Sequence, residues 1–210
     1  MAILHKATLV PSKLELIAQY LPQQPWFVPG DSAQPVLLGA YRFDDPDGEV
    51  GLETHIVGHG GFIYQVPLSY RGAELPAAEA WLVGTMEHSV LGKRWVYDAC
   101  ADPVYVTALA TAILTGKQGA EQFVEVGGKL EPRPSTAQVK GSGLPGTALP
   151  ALEPQAPVTA DRVTVIDAGA LRLEIFRRVD PARQPGELTL NGTWTGQEAP
   201  VQMASAEWLR

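Results

Sequence analysis

The sequence predicts an α+β protein: an antiparallel strand meander with few helices, followed by a second, looser β region. Three observations predict it. Hydrophobic residues make up 45% of the 210 residues and charged residues 19%, which supplies a sizeable core and rules out a disordered composition. Gly and Pro number 21 and 18, so turns are frequent and long helices few. Short alternating apolar segments recur between turn signals, and only two stretches carry both a helix start and a helix stop.

In order along the chain, residues 2–10 alternate as a strand, with Ile3, Ala7 and Leu9 on one side, and Pro11 ends it. Ser12-Lys13-Leu14-Glu15 is a capping box, in which the Glu15 carboxylate accepts from the Ser12 amide. The short helix after it carries Leu14, Ile17, Ala18 and Leu21 as its apolar stripe and stops at Pro22. Residues 23–34 hold Pro25, Pro29, Gly30 and Asp31 and form a loop, pinned to the core by Trp26 and Phe27. Strands follow at 35–44, 49–57 and 62–70. Asp44-Asp45-Pro46-Asp47-Gly48 turns between the first two, since proline fixes φ and glycine accepts a positive one. Gly58-His59-Gly60-Gly61 makes the next turn. Val50, Leu52, Thr54 and Ile56 share one face of the second strand. Pro67 interrupts the third and points to an edge or a bulge, because proline brings no amide hydrogen to a ladder.

Residues 77–83 fit a helical turn or a strand. Residues 85–89 and 93–99 pair around Val90-Leu91-Gly92. Asp102 as N-cap and Pro103 at the first helical position open the best-defined helix, with Val104, Ala108, Ala112 and Ile113 inward and Gly116 as its stop. Residues 121–126 read as a strand. Residues 132–157 are rich in Pro, Gly, Ser and Ala and read as a long excursion or linker. A hairpin is expected from 162–166 and 170–178 around Asp167-Ala168-Gly169, with Leu171, Leu173 and Ile175 opposite Arg172, Glu174 and Phe176. Pro181 and Pro185 break the chain. Final strands at 187–191 and 200–208 flank Gly192-Thr193-Trp194-Thr195-Gly196.

The formal net charge of −7 makes nucleic acid an unexpected partner, because a phosphate backbone selects a basic surface. One cysteine, Cys100, forms no disulfide within the chain and reads as a small buried hydrophobe. The four histidines, His5, His55, His59 and His88, come without a CxxC, so no metal and no cofactor are expected. No apolar run reaches about 18 residues, and no leader-like segment opens the chain. A cytoplasmic protein without membrane contact is expected.

Two groups of residues invite a chemical reading. His55 and His59 share a strand face but lack a third ligand nearby, and read as surface histidines beside a turn. Glu87, His88, Arg94, Trp95 and Asp98 form a polar and aromatic cluster that can bind a sugar or an anion. The alternative is a buried ion-pair network locking two strands to the helix at Asp102. Gly58–61 and Lys140-Gly141-Ser142-Gly143 are glycine-rich but match neither phosphate-loop pattern, and Ser142 lacks the frame of a nucleophile elbow.

Several blocks resemble a known family. MAILHKATLVPSKLELIAQYLP, GAYRFDDPDGEVGLETHIV, YQVPLSYRGAEL and GTMEHSVLGKRWVYDACADPV together look like the N-terminal cap region of actinobacterial maltokinases and related aminosugar kinases, above all their short stand-alone relatives. VTVIDAGALRLEIFRRVDP resembles the strand pair of the kinase small lobe. The resemblance implies a cystatin-like cap, a curved antiparallel β-sheet packed on helices, over residues 1–120 and a second small antiparallel β region like a kinase small lobe over 121–210. It also implies a lysine on the strand before Phe176-Arg177-Arg178 to hold ATP phosphates, and that position is Glu174. An acid there repels phosphate. No catalytic loop of the HxDxxxxN kind is found in a chain that runs to Arg210. The expectation is therefore kinase-like ancestry without kinase activity. It takes the form of a cap and small-lobe protein that binds or regulates a protein partner, such as a kinase-like subunit or an enzyme of glucan, trehalose or aminosugar metabolism. The alternative is a sugar- or nucleotide-binding protein using the 87–98 cluster, and a residual sugar kinase is the third reading.

Overall fold

The computed structural model describes residues 2–4, 7–30, 34–183 and 186–209. His5, Asp31 and the chain break at Pro185 lie outside them. In chain order the elements are β1 (Ala2–Leu4), β2 (Leu9–Val10), α1 (Lys13–Tyr20), β3 (Val36–Phe43), β4 (Gly51–His59), β5 (Phe62–Arg71), β6 (Leu82–His88), β7 (Gly92–Asp98), α2 (Pro103–Thr115) and β8 (Gln122–Val126). Then come β9 (Lys129–Arg133), β10 (Ala137–Gly141), β11 (Val158–Ala160), β12 (Val163–Ala168), β13 (Leu171–Phe176), β14 (Arg178–Val179), β15 (Thr189–Trp194) and β16 (Gln197–Trp208).

The protein is α+β, mostly antiparallel strand with two helices among the described residues. A seven-stranded sheet runs β2-β6-β7-β5-β4-β3, with β14 also on β5, and it curls into a half-barrel. A six-stranded sheet runs β10-β15-β16-β13-β12-β11, and a three-stranded one β1-β8-β9. The expected single strand over 2–10 is instead two short strands in different sheets. β1 pairs in parallel with β8, while β2 pairs with β6.

Helix α1 starts as its capping box dictates, with Ser12 Oγ accepting from the Glu15 amide and Glu15 accepting from the Ser12 amide at 2.7 Å. Its buried stripe is rotated from the expected one. Leu16, Ile17, Tyr20 and Leu21 face inward while Leu14 is exposed, because the cap fixes which side lies on the sheet. They meet Val57, Tyr64, Val66, Met86 and Val96, with Trp26 and the half-buried Phe27 pinning the following loop. Each fully buried aliphatic side chain here stabilises by about 1.5–3 kcal/mol.

Helix α2 starts on the Asp102 carboxylate, which accepts from the Val104 amide, and stops at Gly116 in the left-handed region at φ 69°. It lies between the two large sheets and buries more than one face. Tyr105, Val106, Leu109, Ala110, Ala112, Ile113 and Leu114 are all inside, whereas Val104 and Ala108 are half-buried. Its core partners are Tyr41, Phe43, Leu52 and Ile56 from the curled sheet and Val139, Leu190 and Met203 from the six-stranded one.

Two local expectations are corrected. Pro67 sits in a central strand, with β4 on one side and β7 and β14 on the other. The Gln65 amide donates to Arg177 O at 2.8 Å, and alternate residues of a strand point their amides the same way. Pro67 therefore falls in the gap between the β14 ladder at 63–64 and the β7 ladder at 68–71, where no amide hydrogen is needed. The stretch read as a linker holds β10, whose Ala137, Val139 and Gly141 are buried in alternation. Small residues hid it, and they are there because the backbone passes close to α2. A Cβ on Gly141 would stand 1.8 Å from Ala112 O, and one on Gly143 2.0 Å from Leu114 O. The Gly143 amide donates to Ile113 O at 2.8 Å. The glycines of Lys140-Gly141-Ser142-Gly143 thus serve contact with the helix end, and Ser142 Oγ bridges to Glu187 O and the Thr189 amide.

β13 and β14 are one strand that changes sheets at Arg177. The Arg177 amide donates to Arg162 O, and its carbonyl accepts from the Gln65 amide.

Candidate functional site

On the α1 side of the curled sheet, beyond the first turn of α1, lies an open cleft of about 460 Å³. Side chains two apart on a strand share a face, so β6 sends in Met86 and His88, β7 sends in Arg94, and β5 sends in Tyr70. β3 adds Arg42 and α1 adds Lys13. The β3–β4 turn supplies an acidic rim of Asp44, Asp45 and Glu49. Of these, Asp45 is committed to the turn, accepting from the amides of Asp47, Glu49 and Val50 at 3.1, 3.0 and 2.8 Å.

Below the cleft lies a nearly buried charge cluster. The Glu53 carboxylate takes a short hydrogen bond from Lys13 Nζ, has Arg42 Nη1 at 3.6 Å and His55 Nε2 at 3.8 Å. Burial alone would raise the Glu53 pKa, but the positive charges His55, Lys13 and Arg42 bring pull it down to about 2. Burial pushes His55 down to about 4, and the cations Lys13 and Arg42 add to this against Glu53. His55 is therefore neutral at neutral pH, and Lys13 and Arg42 are what balance Glu53 there. His55 Nε2 also lies 3.1 Å from the Tyr70 hydroxyl. His55 is thus buried, not the surface histidine expected from its place near a turn. His59 stacks on Phe27 with ring centroids 5.0 Å apart.

The five residues of the 87–98 cluster do not converge. His88 and Arg94 reach the cleft. His88 Nδ1 accepts from the amides of Val90 and Leu91, and Arg94 Nη2 donates to Leu91 O at 2.6 Å, so both also brace the β6–β7 turn. Glu87 and Trp95 are on the opposite face by strand alternation. Glu87 is exposed, and Trp95 donates to Glu74 at 3.2 Å with Lys93 Nζ 4.5 Å over its ring. Asp98 is buried. It accepts from Arg177 Nη2 at 2.8 and 2.7 Å, from the Tyr20 hydroxyl at 2.6 Å and from the Cys100 amide at 3.0 Å. Burial would lower the Arg177 pKa, but Asp98 beside it holds the guanidinium protonated, while burial and then Asp98 push the Tyr20 hydroxyl up.

Sequence reasoning missed Arg177, Lys13 and Arg42 as members of polar networks. Arg177 meets Asp98 across 79 positions, a separation that leaves no local signal. A second tie, Arg71 to both oxygens of Asp102 at 2.7 and 2.6 Å, fixes the end of β5 to the start of α2. Cys100 is fully buried, as expected. Glu174 is half-exposed on β13 and accepts from Ser205 Oγ at 3.2 Å, and neighbouring Arg172 pairs with Asp167 at 2.7 Å.

Among the described residues no helix is long and apolar enough to cross a membrane. No curated protein matches the chain. Residues 20–102 match the family model of the maltokinase N-terminal cap domain, so the resemblance read in the sequence holds over that span. It covers the curled sheet from β3 to β7 and all five cleft residues built in above from strands, including Arg42 and Arg94, and it ends at the N-cap of α2.

Proposed function

We propose that this chain, built around a maltokinase-type cap, is a non-catalytic binding module whose working surface is the cleft on the α1 side of the curled sheet. One observation carries the reading: an open cavity of about 460 Å³ whose cationic side chains are already held in place by the sheet. That volume lies in the range of small-molecule sites, which run to roughly 300–1,000 Å³. The acid at Glu174, bonded to Ser205, supports the non-catalytic half of the proposal, since phosphoryl transfer works by neutralising phosphate charge. A cytoplasmic setting belongs to the same proposal.

The test is thermal and urea denaturation of the purified chain against a panel of saccharides and nucleotides. A ligand at 100 times its dissociation constant adds about 2.7 kcal/mol. Such a gain with one class, and no ATP turnover, is the expected outcome. Absence of any gain across the panel refutes a small-molecule role for the cleft.

A second reading, regulation of a protein partner in glucan, trehalose or aminosugar metabolism, has its own support. Helix α2 carries no charged residue from Pro103 to Thr115, yet Pro103 and Thr107 are exposed and line a groove with the Asp44-Asp45-Pro46-Asp47 turn. Helices apolar all round are ordinarily covered. Co-purification from native extract followed by mass measurement of the complex tests it, and a bait recovered alone and monomeric counts against it.

A further inference from the structure

We infer that the cleft is an anion site, taking the single carboxylate or phosphate group of a small organic molecule between Arg94 and Arg42. This rests on the binding reading above and narrows it to a ligand class.

The two guanidinium groups are backed by glycines. A Cβ on Gly72 would stand 2.6 Å from Arg94 Nη1, and one on Gly51 would stand 3.3 Å from Arg42 Nη2. Each glycine leaves the room that its arginine occupies, Gly51 on β4 and Gly72 just past the end of β5. Arg94 is anchored further by its bond to Leu91 O. A planar guanidinium fixed in this way keeps its remaining N–H groups pre-aimed, which suits bidentate capture of a carboxylate or phosphate.

The donors are under-used. Among the described residues Arg94 has no carboxylate within 4 Å. The Nε atoms of Arg42 and Arg94 are both buried without a hydrogen-bond partner. Arg42 and Lys13 share the one Glu53 carboxylate, with His55 beside it neutral at neutral pH. Three cations, Lys13, Arg42 and Arg94, line the cleft together with the rim acids Asp44, Asp45 and Glu49. The pull on an anion is therefore local to the two guanidinium groups, where low-dielectric walls strengthen it.

The rim sets the rest of the ligand. Asp44 and Glu49 stand on the exposed lip, where they disfavour a second negative group and favour hydrogen-bond donors. The ligand expected is one anionic head with a neutral, hydroxyl- or amine-bearing body.

Isothermal titration calorimetry of the full chain at pH 7 and low salt, with three probes of one skeleton, decides the matter: glucose, gluconate and glucose 6-phosphate. Inorganic phosphate is the fourth probe. The inference expects gluconate or glucose 6-phosphate to bind at least tenfold more tightly than glucose, and Arg94→Met to remove that advantage. Gluconate alone points to a carboxylate source, glucose 6-phosphate alone to a phosphate source, and either supports the site. Glucose binding as well as its anionic relatives keeps the binding reading and overturns the anion site. No binding by any probe overturns both. Inorganic phosphate matching glucose 6-phosphate, unchanged by Arg94→Met, overturns the inference as well. If Arg94→Met fails to fold, Arg94→Lys replaces it. Lysine keeps the charge but loses the two-pronged geometry, so an unchanged anion preference in Arg94→Lys also overturns the site.

Discussion

Replacing Asp98 by asparagine keeps the shape of the side chain and removes its charge. Burial sets the cost of that change. Asp98 and Arg177 are 3% and 2% exposed, so the guanidinium left behind has no water to turn to. It retains only the Thr164 hydroxyl, 2.7 Å from Nε, and the face of Trp26 at 5.5 Å, while Nη1 already has no partner. Breaking a buried ion pair by removing one partner costs about 3–5 kcal/mol. For a chain of this size each kcal/mol moves the midpoint by about 2–4 °C, so Asp98→Asn lowers Tm by about 6–20 °C. Urea titration at pH 7, followed by tryptophan fluorescence, reads the same loss. Arg177→Met alone strands the carboxylate and costs a similar amount. The double variant Asp98→Asn/Arg177→Met buries no stranded charge and must lose at least about 1 kcal/mol less than the two single losses combined. A single-variant loss below about 1 kcal/mol, or strict additivity, would falsify the view that this pair is a dry lock between the sheets.

Two further outcomes concern other sites. His55 has its pKa lowered to about 4 in the fold against an ordinary 6.5, so the unfolded chain takes up a proton first as pH falls. Stability is full above about 6.5 and declines between 6.5 and 4, by up to about 3 kcal/mol at 1.36 kcal/mol per pH unit. Urea midpoints measured across that window should flatten in His55→Gln, and an unchanged slope in that variant would assign the loss elsewhere. Gly141→Ala places a methyl group 1.8 Å from a helix carbonyl, and the backbone can relieve this only by moving α2 off β10. A loss of about 3 kcal/mol or more, or failure to accumulate as soluble protein, is expected. Wild-type stability on denaturation would refute the close approach.

Signals confined to a few neighbouring residues are legible in the sequence. The Ser12–Glu15 box, the Asp102-Pro103 start, the Gly116 stop and the turn at Asp45–Gly48 each carry their chemistry within one turn of chain, and each stands where the sequence puts it. The family resemblance, too, lives in contiguous blocks. Strand β10 escapes notice because apolar volume is the usual mark of a buried strand, and here close packing demands glycine and alanine instead. The candidate site is half legible. His88 and Arg94 stand out as residues and do line the cleft, but Glu87 and Trp95 join them only by proximity along the strand, where alternation sends neighbours to opposite faces. Lys13, Arg42 and Glu53 come from three elements, and nothing in their spacing announces that they meet. Asp98 stands out by its charge, but only the partner far along the chain reveals that the charge is structural.

The sheet change at Arg177 bears on how the protein is made. On the ribosome β5 emerges early, yet one of its edges is completed only by Arg178 and Val179. These leave roughly a hundred residues later, a delay of about 5–20 s at ordinary translation speed. Until then the nascent half carries an open edge at Ile63 and Tyr64 and a bare Asp98. Newborn chains of this protein should therefore need chaperone cover for longer than their modest length implies, and synonymous codon changes that slow translation between these points should lower its yield.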